Sequence, residues 1–240
     1  MAHRPRLADP PDQTAVEITC FGLSLLQASG ALFYWIDDGQ KMADVSLEGI
    51  STRFYLDYAM RMEETDPSNV SRMTSARHSV TQLRQPNRPL PAETALYHQF
   101  LHDYGVTDVI DLMFWSEGVA VAGIGILKCY SDPPTSQAAI TTACAMQRYI
   151  EFNLQKHERL SRARCRRILK QTYRLTAREI TVAELIIQGL TNNEIAESLN
   201  MKLPTVKSHL QQIFGKTGCG NRTKLAAWAS IGLEYSGPHI

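Results

Sequence analysis

The stretch TNNEIAESLNMKLPTVKSHLQQIFGKTG, Thr191 to Gly218, contains two apolar stripes at helical spacing separated by a short polar break. In its second half Val206, Leu210, Ile213 and Phe214 fall at i, i+4, i+7 and i+8. They share one helical face, suited to pack on Ile195 and Leu199 of the preceding segment. The opposite face offers Thr205, Lys207, Ser208, Gln211 and Gln212, which are hydrogen-bonding residues with no acid among them. Two short helices joined by a tight turn, the second with donors outward, form the helix-turn-helix layout, and that second helix fits the major groove of DNA. A plain three-helix bundle has the same periodicity, so spacing alone leaves DNA reading and core packing both open. The start of the second helix is irregular: Lys202 stands where a Ser or Thr cap is expected. Pro204 suits the first turn, where its missing amide has no helical partner to lose.

Outward from this stretch the chain remains helical. Thr176 with Glu179, and Thr191 with Glu194, each place a hydroxyl and a carboxylate three apart, as in capping boxes. Gly189 ends the first of these helices, and Asn221 caps a last one over about 222–233. No strand signal follows Tyr173.

The string from Leu175 to Ala229 resembles the C-terminal domain of LuxR/FixJ-type transcription regulators. The landmarks are Leu175, Thr176, Arg178, Glu179, Gly189, Asn193 to Ala196, Leu199, Thr205 to Lys207, His209, Ile213, Lys216, Asn221 and Arg222. The resemblance implies an all-α four-helix helix-turn-helix domain that binds double-stranded DNA at a near-palindromic operator as a homodimer. It implies that Lys207, Ser208 and Gln211 face the groove, and that Lys202, Thr205, His209 and Arg222 lie near phosphates. Lys can donate to guanine and Gln can pair with adenine, so this face can carry sequence information. The family often has a basic residue where Gln211 stands, which puts base preference in question. Leu225, Trp228 and Ala229 of the final helix are the implied dimer contact.

Charge divides the chain in the same place. Residues 154–224 hold 14 Lys and Arg against 5 Asp and Glu, whereas the remainder holds 11 against 19. A basic C-terminal part attached to an acidic N-terminal one points to an anionic partner for the former.

The N-terminal part shows mixed signals. Residues 1–12 form a Pro-rich lead expected to be flexible, followed by a helix at about 13–28, a strand at ALFYWI, a return at VSL, a helix over 51–64, a loop at 84–91 and a helix over about 92–104. Strands at 109–115 and 119–130 follow, and a long helix is expected to run from Pro133 through the basic segment. This order predicts an α+β domain, an antiparallel sheet with packed helices, GAF/PAS-like in layout. The expected domains are a sensor or dimerisation domain over 13–153, a basic helical linker over 154–173 and the helix-turn-helix domain over 174–240.

Two controls associated with such regulators can be compared with the residues. A phosphorylation receiver needs an acidic pair after its first strand and an Asp acceptor after a later one. Asp37-Asp38 imitates the pair, but a helix precedes that strand and TQLRQPN lacks the acceptor. The pattern Phe54-x3-Tyr58-x7-Asp66-Pro67 partly resembles that of acyl-homoserine lactone-binding domains, with both tryptophans missing and the spacing one short. A small apolar or amphipathic ligand would find Phe33, Trp35, Phe54, Tyr58, Asp66, Met113 and Trp115 as candidate contacts. Core packing accounts for the same aromatics, and a protein partner could take the place of a ligand.

Other functions lack support. The Ile18–Ile36 run is broken by QASG, which argues for a buried helix and strand rather than a membrane span. The five cysteines are scattered, as expected of free thiols in a cytoplasmic protein, and Cys165 lies in a basic run that favours its thiolate. His98 and His102 share a helical face without a third metal ligand, and no nucleophile elbow or phosphate loop occurs. No catalytic residue, metal or cofactor is expected.

Overall fold

The computed structural model describes residues 7–8, 12–37, 39–84 and 94–231. Most of the expected lead, Asp38, residues 85–93, which include nearly all of the expected loop at 84–91, and residues 232–240 lie outside the described residues. The chain divides into two compact units, 1–155 and 156–240.

In the first unit the described residues form a five-stranded antiparallel sheet with helices on both faces. In chain order the elements are α1 (Gln13–Leu26), β1 (Gly30–Ile36), β2 (Met42–Glu48), α2 (Thr52–Asp57) running into a π-helical turn (Tyr58–Met62), α3 (Val70–Ala76), β3 (Val80–Gln82), α4 (Ala95–Asp103), β4 (Val106–Ser116), β5 (Val119–Cys129) and α5 (Gln137–Leu154). The strand order is β2-β1-β5-β4-β3, so the two hairpins meet at β1 and β5. This matches the expected antiparallel α+β architecture. Residues α3 and β3 were not expected; each is too short to display a period, and α3 depends on the Asn69 side chain accepting from the Arg72 amide at 2.9 Å.

One sheet face packs against α1 and α5. A Cβ on Gly22 of α1 would come within 2.8 Å of Ile126 Cδ1 and Met146 Cε, which shows how closely this helix lies on the strands. Asp12 caps α1 through the Thr14 amide at 2.9 Å and accepts from Trp35 Nε1 at 3.1 Å, fixing the helix start to β1. At the other end Lys128, only 3% exposed, donates from Nζ to the carbonyls of Leu26 and Gln27 at 2.9 and 2.8 Å. A buried cation thus satisfies the free carbonyls of the α1 terminus.

The expected continuous helix from Pro133 through the basic segment does not form. α5 ends at Leu154, and α6 (Glu158–Gln171) starts afresh. Tertiary bonds account for the break. Gln155 donates to the Trp115 carbonyl at 2.8 Å and accepts from the Ser116 hydroxyl at 2.8 Å, while His157 Nδ1 accepts from the Arg159 amide at 3.2 Å as a new cap.

In the second unit α6 is followed by α7 (Ala177–Ile187), α8 (Asn192–Ser198), α9 (Leu203–Thr217) and α10 (Arg222–Ile231). Both capping boxes form: Glu179 accepts from the Thr176 amide at 2.7 Å, and Glu194 from the Thr191 amide at 2.6 Å. The core joins Val182, Ile195, Val206, Ile213 and Leu225. Leu160, Cys165 and Leu169 of α6 are also buried, the last two in this same cluster, so the basic segment contributes a packed helix to this unit.

Candidate DNA-reading helix and sensor cavity

The turn between α8 and α9 is built by backbone geometry. Asn200 takes a left-handed φ of 49°, and the Met201 amide donates to the Ala196 carbonyl at 2.8 Å, closing the end of α8. Arg178 reinforces it by donating to the Leu199 carbonyl at 3.0 Å. α9 then begins at Lys202, whose side chain makes no cap, with Pro204 in its first turn.

Val206, Leu210 and Ile213 of α9 are buried. Lys202, Thr205, Lys207, Ser208, Gln211 and Gln212 are exposed, giving a polar face about three turns long without an acid. His209 is half-buried, and its Nδ1 has no hydrogen-bond partner among the described residues. Arg222 is half-buried and donates to the Leu190 carbonyl at 2.6 Å, tying the start of α10 to the chain before α8. Its guanidinium therefore has a structural bond within the unit.

The candidate dimer residues do not share a free face. Leu225 is 0% exposed in the core of its own unit and has no surface to offer a partner. Trp228 is half-buried and stacks edge-on against Tyr173 with ring centroids 5.7 Å apart; Ala229 is also half-buried. Cys165 is buried as well, and burial pushes its thiol up to about 11 with Glu184 adding to the rise. The neighbouring arginines do not outweigh that desolvation, which removes the reason to expect a ready thiolate.

In the N-terminal unit the sheet face opposite α1 and α5 borders a cavity of about 30 Å³. Of the seven candidate contacts, Phe54, Tyr58 and Asp66 line it. Tyr58 and Asp66 also bond to each other: the phenol donates to Asp66 Oδ2 at 2.8 Å, and the Ser68 amide donates to Oδ1 at 2.8 Å. Phe33 and Trp35 lie on the other sheet face, in an edge-on pair 5.4 Å apart that extends to Phe114. Met113 sits in a satellite cluster with Met73 and Ala120, and Trp115 packs on that cluster beneath the Arg77 guanidinium, 5.6 Å from its ring.

Sequence reading missed Tyr34, Tyr97 and Asp111 on the cavity wall. β1 is buried on both faces, so ALFYWI shows no alternation to indicate that Tyr34, and not Phe33, points this way. Asp111 left a signal, an acid inside the apolar strand VIDLMFW. Gly123 and Gly125 are now explained by space: Gly123 pairs with Tyr34 on one side and Met113 on the other, and a Cβ there would lie 2.4 Å from the Tyr34 hydroxyl oxygen.

Burial shifts every titrating group on this wall. It raises Tyr34, Tyr58 and Tyr97 well above the ordinary phenol value, with Asp66 or Asp111 adding repulsion. Burial also raises Asp66, although bonds from Ser68, Tyr58 and Tyr97 oppose it. Asp111 goes well above the ordinary carboxylate value through burial and the charge of Asp66.

Comparison with known proteins agrees with the division of the chain. Residues 173–229 match the model of the family described as bacterial regulatory proteins, luxR family. Over 207 residues the chain is 27% identical to the monoamine regulon transcriptional regulator of Klebsiella aerogenes, covering 85% of this chain and 84% of that protein. The CsgBAC operon transcriptional regulatory protein of Escherichia coli strain K12 is 42% identical over 60 residues, 25% of this chain and 28% of that one. Among solved structures, Escherichia coli SdiA aligns over 95% of this chain and 94% of its own at 14% identity, with a TM-score of 0.44. With its two capping boxes, its tight turn and its outward polar helix, the C-terminal segment 173–229 is a helix-turn-helix domain of the luxR family of bacterial regulatory proteins.

Proposed function

We propose that the protein is a cytoplasmic transcription regulator that binds a near-palindromic operator as a homodimer and is controlled by a small ligand in the N-terminal cavity. The observation that carries DNA reading is the exposed, acid-free face of α9, held on a packed scaffold by Val206, Leu210 and Ile213. Lys207, Ser208 and Gln211 are assigned to base edges, and Lys202, Thr205, His209 and Arg222 to phosphates. Regulator names among similar proteins support the reading. No described helix is long and apolar enough to cross a membrane. Ligand control acts by changing the fraction of molecules competent to bind DNA.

One observation favours a second reading. The cavity of about 30 Å³ is far below the roughly 300 Å³ or more of preformed drug-sized pockets, so a protein partner could control the domain instead.

The test combines genome-wide binding-site mapping with Lys207→Ala measured on a mapped operator. Specific affinity falls by about 1–3 kcal/mol at fixed salt, while folding is kept. Salt must be matched because phosphate contacts dominate total affinity. Unchanged discrimination between operator and random DNA would remove Lys207 from the reading role.

A further inference from the structure

The sensor cavity holds two carboxyl groups and no base. Asp66, 5% exposed, and Asp111 both line it, and among the described residues no Lys, Arg or His side chain does. Asp66 is anchored by the Tyr58 hydroxyl and the Ser68 amide, and the Ser68 side chain helps hold the Asp111 carboxyl down against burial. Asp111 stands on β4 across from Gly125, whose missing side chain leaves its Oδ1 uncovered on that side.

Tyr34 supplies an observation independent of the acids. It is 5% exposed and lines the same cavity, and its hydroxyl has no hydrogen-bond partner among the described residues. A nearly buried phenol without a partner is costly unless something in the cavity bonds it. The same holds for two neighbouring carboxyls, although Arg72, outside the lining, partly offsets the charge of Asp66.

A single kind of occupant answers both needs. An ammonium group brings three donors and a positive charge. The two carboxylates and the Tyr34 oxygen supply three acceptors, and phenol rings attract cations through their faces. We propose that this cavity binds the ammonium head of a small organic amine, with Asp66 and Asp111 as counter-charges and the Tyr34 hydroxyl as the third acceptor. Leu32, Phe54 and Leu101 line the same space and hold the carbon body. A water needs about 10–15 Å³ by the measure in which this cavity has about 30 Å³, so the ammonium and about one or two carbons fit without change. A larger body enters by displacing a flexible wall residue such as Met42.

The assignment rests on the small-ligand reading and names its chemical class, so the experiment separates the two. Full-length protein at neutral pH and fixed potassium is titrated calorimetrically, and its thermal unfolding is followed, with propylammonium and 2-phenylethylammonium and with the matched neutral alcohols 1-propanol and 2-phenylethanol. Saturable binding of an amine, about tenfold or more tighter than its alcohol, is expected. Asp111→Asn removes that preference while circular dichroism remains native. Tyr34→Phe weakens amine binding several-fold and leaves alcohol binding unchanged, and it provides the test should Asp111→Asn fail to fold. Equal binding of amine and alcohol overturns the ammonium assignment and leaves small-ligand control standing. Amine preference retained in both variants places the site elsewhere and overturns it too. An absence of amine binding overturns the assignment, and if a library of neutral acyl and lactone compounds also leaves the unfolding midpoint unmoved, small-ligand control falls with it.

Discussion

Glu179 shows how one side chain can serve two elements. It closes the capping box of α7 and accepts from Lys216 of α9 at 2.7 and 2.8 Å, although it is only 2% exposed. Burial alone would raise its carboxyl, but the Lys216 ammonium and the Thr176 bonds together hold it below the ordinary value. A depressed folded value means that this stabilisation is present above the unfolded carboxylate range and is lost as pH falls through the folded value. Glu179→Gln keeps an acceptor for the Thr176 amide and loses the charge. It is expected to cost about 1–2 kcal/mol at neutral pH in denaturant titrations, with the difference from wild type shrinking below about pH 4. Asp111 has the opposite sign. Its raised value makes the empty folded state less stable at high pH and relieves it as pH falls towards the ordinary value. Asp111→Asn therefore raises the unfolding midpoint of the ligand-free protein most at high pH, and urea melts across the acidic range will show the gain disappear as pH is lowered.

At the scale of elements, α9 has little local support at its start. The Lys202 side chain makes no cap, and its charge opposes the helix dipole while favouring a nearby phosphate. Lys202→Ser is expected to stabilise the domain by about 1 kcal/mol in thermal melts and to weaken operator binding in fluorescence anisotropy. Simultaneous gain in both would leave Lys202 without a phosphate role. In the sheet, β5 must pass beneath the ring of Tyr34, and Gly123 makes that approach possible. Gly123→Ala forces a rigid ring to move, at about 1–3 kcal/mol by chemical denaturation. Motif positions and capping boxes were legible because they depend on residues three or four apart. The α5–α6 break was not, because it depends on Gln155 reaching Trp115 and Ser116.

For the whole molecule, the charge asymmetry and the two compact units coincide near residue 155. Cys165 and Leu169 bury the apolar side of the basic helix in the core of the C-terminal unit. A fragment spanning 156–240 is therefore expected to unfold cooperatively. A fragment starting at residue 174 loses those two buried side chains, and calorimetry should find its midpoint lower by roughly 10 °C or more.

The sequence by itself determined the C-terminal helix-turn-helix, its polar face and the α+β character of the rest, since these follow from local periodicity and caps. It also placed Tyr58 and Asp66 together as polar residues of one segment. Only the tertiary structure decided which face of β1 meets the cavity, that Phe33 and Trp35 belong to the other layer, and that Leu225 is core. The reason is physical: a strand buried on both faces carries no alternation, and the pairing of Asp111, Tyr34 and Asp66 spans strands and helices far apart in the chain.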